Sequence, residues 1–228
     1  MLIGFEGMDG VGKTTVADYV SRDLSIPHET QKLANILEVD DKQFRKFVRD
    51  IRTSDIKKLA FVFYTFRCLY DKSRTKDNYV IVDRTMMSTY FFEHNKLSEE
   101  DLKYAMSLDC IPDLTFILYG SPETRRQRIS KRDDKEDLNS SEAMSDGYSE
   151  MLEFAHEYNV PYVGIDTEKY SLQDIIMICE STIEAFKNAN EEERRRIIKE
   201  CNETYGFDDL YFSGPRLVRN IWNMMWLL

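Results

Sequence analysis

The chain has 228 residues, of which 42% are hydrophobic and 32% are charged, and its formal net charge is −10. This composition predicts one folded domain, or one domain with an appendage, and excludes a disordered or fibrous chain. The acidic balance argues against nucleic acid or an anionic membrane as a partner, and no apolar run is long enough to span a bilayer. Residues 1–6 lack the basic leader of a signal peptide and the four cysteines lie far apart, so we expect a cytoplasmic protein with free thiols.

Strand and helix patterns alternate along most of the chain. Continuous apolar runs predict strands that are covered on both faces, whereas apolar spacings of three and four predict helices. The predicted strands are 2–6, 79–82, 114–119 and 160–165, and the predicted helices are 13–24, 41–51, 54–70, one that begins at 98, 123–131, 142–158 and 171–187. This order is typical of an α/β fold, a three-layer sandwich in which helices cover both faces of a parallel sheet.

Residues 7–14 read Gly-Met-Asp-Gly-Val-Gly-Lys-Thr and match G-x-x-x-x-G-K-[ST] between the first strand and the first helix. We call this segment the phosphate loop, because its glycines let main-chain N–H groups surround a phosphate at a helix N-terminus. In such a P-loop an exposed Lys13 is expected to reach the β- and γ-phosphates of ATP, and the Thr14 hydroxyl to ligate Mg²⁺. The ATP-binding residues predicted in this segment are Gly7, Asp9, Gly10, Val11, Gly12, Lys13, Thr14 and Thr15.

A second ligand for Mg²⁺ follows the apolar run 79–82, which ends in Asp83. Parallel strands bring their carboxyl ends to one edge of the sheet, so Asp83 is expected to emerge near Lys13. A carboxylate at this place in a P-loop protein holds the hydration shell of the metal. Thr14 and Asp83 are therefore the predicted metal residues.

A cationic segment lies near the middle of the chain. Arg128 and Arg132 are four residues apart, on one face of the predicted helix, and lead into a charged stretch poor in apolar residues. Cations on a closing lid neutralise the charge that develops in phosphoryl transfer and exclude water. We therefore predict a short lid at about residues 128–143.

Taken in order, these segments resemble the thymidylate kinase family of nucleoside monophosphate kinases, over residues 1–186. The matching segments are Phe5 to Thr15, Phe63 to Arg67, Asp83-Arg84 with Ser88, Pro112 to Thr115, Pro122-Glu123 leading to Arg128 and Arg132, Gly147-Tyr148, and Val163 to Asp166. The first and third of these are the most specific. The resemblance implies a transferase that uses ATP and Mg²⁺ to phosphorylate a deoxynucleoside monophosphate, with dTMP, converted to dTDP, as the favoured acceptor.

The resemblance also implies roles by position. Asp9 would bind the 3′-hydroxyl of the acceptor, and Arg84 would hold its phosphate or bridge both phosphoryl groups. Phe63 would stack on the base, Arg67 would reach a base carbonyl, and Phe92 would disfavour a ribose. Arg128 would stack near the adenine of ATP and so join the ATP-binding residues. The implied catalytic residues are Lys13, Arg84, Arg128 and Arg132, and the implied acceptor-binding residues are Asp9, Phe63, Arg67, Arg84, Thr89 and Phe92.

The sequence departs from the family on the acceptor side. The usual Asp-Arg-Tyr ends in Thr85, the polar base-reading residue falls on Thr89, and the Gln that follows falls on Glu93. The Arg-Glu-Pro-Gly phosphate-binding loop is missing, since residues 28–32 read His-Glu-Thr-Gln-Lys. The alternatives for the missing cation are Lys32, Arg45 and Arg49.

Two other functions stay open. A deoxynucleoside kinase, or another small-metabolite kinase, needs a base beside its hydroxyl acceptor, and Glu6 could serve. A nucleotide-binding protein without transferase activity is the second. Residues 1–187 are predicted to form the kinase domain, and residues 188–228 a helical extension that packs on the domain or on a partner. The aromatic-rich segment 61–70 is a candidate surface for a homodimer.

Overall fold

The computed structural model describes residues 1–29, 33–76, 78–131 and 147–206. The strands are β1 (Leu2–Glu6), β2 (His28–Glu29), β3 (Val80–Asp83), β4 (Leu114–Tyr119) and β5 (Tyr162–Asp166). The helices are α1 (Lys13–Leu24), α2 (Leu33–Ile36), α3 (Asp41–Arg52), α4 (Lys58–Ser73), α5 (Met86–Glu93), α6 (Glu99–Ser107), α7 (Pro122–Ser130), α8 (Tyr148–Glu157), α9 (Leu172–Lys187) and α10 (Glu191–Tyr205). A 3₁₀ turn at His94–Lys96 follows α5.

The sheet has the order β2-β3-β1-β4-β5, and every neighbouring pair is parallel. The predicted α/β sandwich is therefore confirmed. Phe5 is opposite Asp83, and Glu6 is opposite Ile117, so β1, β3 and β4 end at the same edge of the sheet. The phosphate loop leaves β1 at that edge, which brings it beside the residues that follow β3.

Burial explains why the central strands have no polar face. All residues of β1 and β4 are buried, and the rings of Phe5 and Phe116 stack at 5.2 Å between centroids. A fully buried Phe or Ile contributes about 1.5–3 kcal/mol relative to an exposed one, so these strands form the stable base of the site. Among the described residues, no helix has the length and apolar character needed to cross a membrane.

Most helix and strand bounds lie within two residues of the predicted ones, but the helix predicted to begin at Ser54 begins at Lys58. The Ser54 hydroxyl donates to the Ile51 carbonyl at 2.8 Å and accepts from the Ile56 N–H at 3.3 Å, so it closes a turn after α3 and does not cap α4.

Ser98 and Ser171 cap α6 and α9 through reciprocal hydrogen bonds with Asp101 and Asp174. The structure adds β2, which the sequence did not predict because two polar residues have no periodicity. Within the predicted helix 142–158, residues 142–146 lie outside the described residues, as do 207–228 of the predicted extension.

The described part of the extension packs on the edge of the sheet. The Asn202 side chain of α10 accepts a hydrogen bond from the Gly164 N–H and donates one to the Tyr162 carbonyl, both at 2.8 Å. One amide side chain thus pairs with the open edge of β5 as a neighbouring strand would.

Candidate active site

The phosphate loop depends on glycine at two positions. Gly7 and Gly10 have φ values of +130° and +89°, in the region that favours glycine. A Cβ atom on Gly7 would lie 2.3 Å from the main-chain oxygen of Leu118, and one on Gly10 would lie 2.8 Å from that of Arg125. The loop can therefore pack closely against β4 and α7 only with glycine at these positions.

Lys13 lies beneath the phosphate loop, with 7% of the residue exposed, so the expectation of an exposed lysine was wrong. Its Nζ donates a hydrogen bond to the Met8 carbonyl oxygen at 3.0 Å and lies 3.8 Å from Asp9 Oδ1. Burial and the nearby Arg84 lower the pKa of Lys13 from 10.5 to about 8, although Asp9 and other carboxylates act in the opposite direction. A bound phosphate would favour the charged ammonium at this position.

Thr14 and Asp83 meet at the edge of the sheet, as predicted. The Thr14 hydroxyl donates a hydrogen bond to Asp83 Oδ2 at 2.5 Å. Asp83 Oδ1 is buried and has no hydrogen-bond partner within the described ranges. Burial by itself would raise the pKa of Asp83, but His28 and Thr14 hold it below its usual value. Two hard oxygen atoms, one of them unpaired, fit Mg²⁺.

His28 is a neighbour of this pair that sequence reasoning missed. Its Nδ1 lies 2.7 Å from Asp18 Oδ1, and its Nε2 lies 3.7 Å from Asp83 Oδ1. Burial alone would lower the pKa of His28, but the carboxylates of Asp83 and Asp18 raise it above the ordinary value. No motif marks this histidine, because its position depends on the pairing of β2 with β3.

Arg84 connects β3 to the phosphate loop. Its φ of +64° turns the chain out of β3, and its main-chain N–H donates to the Phe5 carbonyl at 3.0 Å. Its Nη2 donates a hydrogen bond to Asp9 Oδ1, and its Nη1 donates to Ser88 Oγ at 3.2 Å. Arg84, Asp9 and Lys13 thus form one charged cluster.

Glu6 is fully buried at the end of β1. One of its carboxylate oxygens accepts hydrogen bonds from the Thr85 N–H, the Thr85 hydroxyl and the Ser88 N–H, at 2.5, 2.6 and 3.2 Å. The other accepts a hydrogen bond from the Ser88 hydroxyl at 2.6 Å. Since both oxygens are engaged with the start of α5, this geometry gives no support to Glu6 as a base for a substrate hydroxyl.

Two of the predicted acceptor residues lie on α5 beside this cluster. Guanidinium groups of Arg84 and Arg52 lie 5.6 and 5.4 Å from the ring centroid of Phe92. Thr89 is buried, and its hydroxyl donates to the Thr85 carbonyl at 3.4 Å. Phe92 therefore borders the Arg84 cluster directly, whereas the Thr89 hydroxyl is bound within its own helix.

The other two predicted acceptor residues lie on α4. The Phe63 ring packs against Phe44 and Phe47 of α3, with ring centroids 5.9 and 6.2 Å apart. Arg67 Nε donates to both oxygens of Asp71, one helical turn away, at 2.9 and 2.8 Å. The structure thus ties Phe63 to α3 and Arg67 to its own helix.

Arg52, at the end of α3, was also missed by sequence reasoning. Its Nε and Nη2 lie 2.7 and 2.6 Å from one oxygen of the fully buried Glu93, and Lys96 Nζ lies 2.7 Å from the other. Its guanidinium also lies 5.7 Å from the Tyr64 ring. Of the three cations considered for the missing loop, Arg45 and Arg49 are exposed on α3 and Lys32 lies outside the described residues.

A cleft of about 370 Å³ lies beside the phosphate loop. Arg128 donates hydrogen bonds to the carbonyl oxygen of Val11 at 3.3 Å and to the hydroxyl and carbonyl of Thr167 at 2.8 and 3.0 Å. The cleft is lined by Gly10, Val11, Gly12, Thr15, Val16, Arg128, Lys131, Thr167, Tyr170, Leu172 and Ile175. Five of the nine predicted ATP-binding residues line this cleft, namely Gly10, Val11, Gly12, Thr15 and Arg128, while Arg132 and the predicted lid beyond residue 131 lie outside the described residues.

Comparison with known proteins gives relatives in sequence and in fold. A "probable thymidylate kinase" of Methanocaldococcus jannaschii is 29% identical over 187 residues, which cover 77% of this chain and 91% of the relative. One of Sulfolobus acidocaldarius is 28% identical over 192 residues, covering 82% and 98%. The solved structure of deoxyadenosine kinase from M. mycoides with bound dATP is similar in fold, with a TM-score of 0.58, 19% identity, and coverage of 81% of this chain and 100% of that one. The thymidylate kinase family model matches residues 5–174, and the chain therefore belongs to the thymidylate kinase family.

Proposed function

We propose that this chain transfers the γ-phosphoryl group of ATP to dTMP and releases ADP and dTDP. The observation that carries the proposal is the single charged cluster in which Lys13 of the phosphate loop and Arg84 after β3 share Asp9. A phosphate-binding loop on one side and an arginine on the other are what transfer between two phosphates requires. Membership of the thymidylate kinase family, and the names of its archaeal relatives, favour dTMP as the acceptor.

The proposed reaction is an in-line displacement between two phosphates. An oxygen of the dTMP phosphate attacks the γ-phosphorus of ATP, the bond from that phosphorus to the β–γ bridging oxygen breaks, and ADP leaves with the electron pair. The attacking group is already an anion, so no general base is required. The chain would act by positioning and charge, through Lys13, Arg84, Arg128 and the lid residue Arg132.

Mg²⁺ is part of this proposal because the residues present fit it. The Thr14 hydroxyl and Oδ1 of Asp83, which is buried and accepts no hydrogen bond among the described residues, would hold the ion and its waters. Mg²⁺ when bound neutralises phosphate charge. The described residues contain no group of three or more His, Cys, Asp or Glu that could hold a metal, which fits an ion bound mainly by phosphates and water.

On the acceptor side, we propose that Asp9 binds the 3′-hydroxyl and that Phe92 packs against the sugar. Phe92 borders the Arg84 cluster, which supports this assignment. Base recognition by Phe63, Arg67 and Thr89 is proposed from the family resemblance. This role for Arg67 needs a guanidinium that faces the base, either while Arg67 is hydrogen-bonded to Asp71 or after that contact opens.

Arg52 is proposed as a further cation of the acceptor pocket. It approaches the ring of Phe92 as closely as Arg84 does, and Glu93 holds it there. Its position makes it a better candidate than Arg45, which is exposed and pairs with Asp41 on its own helix at 3.2 Å. Arg52, at the end of α3, would thus give the acceptor pocket a positive charge in place of the absent Arg-Glu-Pro-Gly loop.

Two wider properties complete the proposal. Val62 and Phe66 are one turn apart on α4 and are 55% and 56% exposed, which supports a homodimer formed through this face. A cytoplasmic location fits Cys68, Cys110 and Cys179, which are buried free thiols.

A coupled assay of ADP release tests the proposed function. The protein is incubated with ATP and Mg²⁺, and dTMP, dUMP, other nucleoside monophosphates and free nucleosides are added in turn. We expect dTMP to stimulate ADP release more than any other acceptor. Stimulation by nucleosides alone, or by no acceptor, would contradict the proposal.

A further inference from the structure

A chain of hydrogen bonds runs from the buried end of β1 to the phosphate loop. It begins at the carboxylate of Glu6, which accepts a hydrogen bond from the Ser88 hydroxyl at 2.6 Å. Ser88 Oγ in turn accepts one from Arg84 Nη1 at 3.2 Å, and Arg84 Nη2 donates to Asp9. A fully buried residue that touches no substrate is therefore linked to two charged residues of the proposed site.

The direction of each bond in this chain is determined by Glu6. A carboxylate surrounded by four donors can only accept, so Ser88 must give its single hydroxyl proton to Glu6. Ser88 Oγ then presents only lone pairs to Arg84, whose guanidinium can only donate. Because of Glu6, the Ser88 hydroxyl is held in the one orientation that accepts from Arg84.

The main chain around Arg84 is anchored at the same strand. Arg84 N–H donates to the carbonyl of Phe5, the residue before Glu6, at 3.0 Å. Glu6 also accepts from the Thr85 N–H and hydroxyl, directly after Arg84. Arg84, whose φ of +64° is left-handed, is thus held at β1 in three ways. Its main-chain N–H binds Phe5, the next residue Thr85 binds Glu6, and its guanidinium binds the Ser88 hydroxyl that Glu6 orients.

We propose that Glu6 is a positioning residue for the acceptor phosphate, and that it acts through the Ser88 hydroxyl on the guanidinium of Arg84. The inference rests on the proposed function, since it takes Arg84 to be the group that binds this phosphate. Glu6 contributes no proton and makes no contact with the acceptor. Its effect is to orient Arg84 before the acceptor arrives, which lowers the cost of binding.

Glutamine cannot replace Glu6 in this series of hydrogen bonds. If the amide oxygen of Gln accepts from Thr85, its NH₂ group faces Ser88 Oγ and donates to it. The Ser88 hydroxyl proton then loses its acceptor at position 6, and the rotation that leaves the lone pairs of Ser88 Oγ facing Arg84 is no longer fixed. The opposite rotamer places the NH₂ group against the donors of Thr85. In either case Arg84 loses its orientation, and we expect a loss of dTMP affinity on the order of tenfold.

The test is a double-mutant cycle on the full chain. Equilibrium binding of dTMP, thymidine and ATP is measured for the wild type, Glu6→Gln, Arg84→Ala and the double variant, with KM and kcat for each. Asp101→Asn is the matched control, because Asp101 also accepts from a serine N–H and hydroxyl, at 2.9 and 2.7 Å, at the start of α6. Ser88→Ala replaces Glu6→Gln if the latter fails to fold.

We expect Glu6→Gln to weaken dTMP binding on the order of tenfold and to leave thymidine and ATP binding within about twofold, since thymidine has no phosphate and Lys13 and the phosphate loop, not Arg84, are taken to bind the phosphates of ATP. The double variant should bind dTMP as weakly as Arg84→Ala does, because the effect of Glu6 passes through Arg84. Asp101→Asn should match the wild type. Equal losses of affinity for dTMP and thymidine, or additive losses of dTMP affinity in the double variant, would overturn this inference and leave the proposed function standing. A wild-type protein that neither binds nor phosphorylates dTMP would overturn the proposed function and, with it, this inference.

Discussion

Replacing Lys13 by methionine is expected to stabilise the nucleotide-free protein while it abolishes phosphoryl transfer. Burial and the neighbouring Arg84 lower the pKa of Lys13 from 10.5 to about 8. A lysine whose pKa is lowered by folding carries its charge less favourably in the folded protein than in the unfolded chain. Methionine has a similar length and no charge, so it removes this cost together with the group that binds phosphate.

The size of the effect follows from the pKa and from one hydrogen bond. Each pKa unit corresponds to about 1.4 kcal/mol, so the charge costs about 3 kcal/mol at pH 7, where Lys13 is protonated in both states. Losing the hydrogen bond from Lys13 Nζ to the Met8 carbonyl offsets about 1 kcal/mol of this gain. The free energy of unfolding of Lys13→Met should therefore exceed that of the wild type by about 2 kcal/mol at pH 7.

The pH dependence has a definite sign. Between pH 8 and 10.5 the unfolded chain binds more protons at Lys13 than the folded protein does, so wild-type stability rises with pH in this range. The difference between the two proteins should therefore shrink above pH 8 and be nearly lost by about pH 10.

Denaturant unfolding without nucleotide, at pH 7 and at pH 10, measures both effects. Lys103→Met is the control, because Lys103 is exposed on α6 and its replacement should change stability by less than about 0.5 kcal/mol. If Lys13→Met is less stable than the wild type at pH 7, or if the stability difference does not narrow at pH 10, then the buried charge of Lys13 does not destabilise the nucleotide-free protein.

Three further predictions concern the metal, the acceptor and the oligomer. Asp83→Asn should weaken Mg²⁺ binding to the nucleotide complex at least tenfold, because one ligand charge is lost; titration calorimetry with Mg²⁺ checks this, and unchanged affinity would contradict it. Arg52→Gln should raise KM for dTMP several-fold and leave KM for ATP unchanged, whereas Arg45→Gln on the same helix should alter neither; equal effects of the two variants would exclude a specific role for Arg52. Phe66→Glu should shift a dimer to monomers in analytical ultracentrifugation, and a dimer that persists would place the interface elsewhere.

The donor side of the site could be predicted from the sequence because local rules determine it. Gly7 and Gly10 are required by the backbone of the loop, and the apolar run that ends in Asp83 places its carboxylate at the sheet edge whatever surrounds it. The parallel order of strands then brings Thr14 and Asp83 together, as the structure has them.

The acceptor side could not be predicted in the same way, because it depends on how helices pack. The contact of Arg52 with Glu93 joins residues 41 positions apart, and nothing near either residue indicates the pairing. Glu6 illustrates a second limit, since a carboxylate at a strand end can be a base or a structural acceptor. Only its four donors distinguish these roles.

Phosphoryl transfer from ATP to dTMP is tested most directly by identifying the bond that forms. The protein is incubated with ATP, Mg²⁺ and dTMP, and the products are followed by phosphorus NMR. We expect the dTMP signal to disappear and the coupled α- and β-phosphorus signals of dTDP to appear. The amounts of dTDP and ADP should rise together and be equal. Unchanged dTMP beside ADP and inorganic phosphate, or phosphorylation of thymidine but not of dTMP, would contradict it.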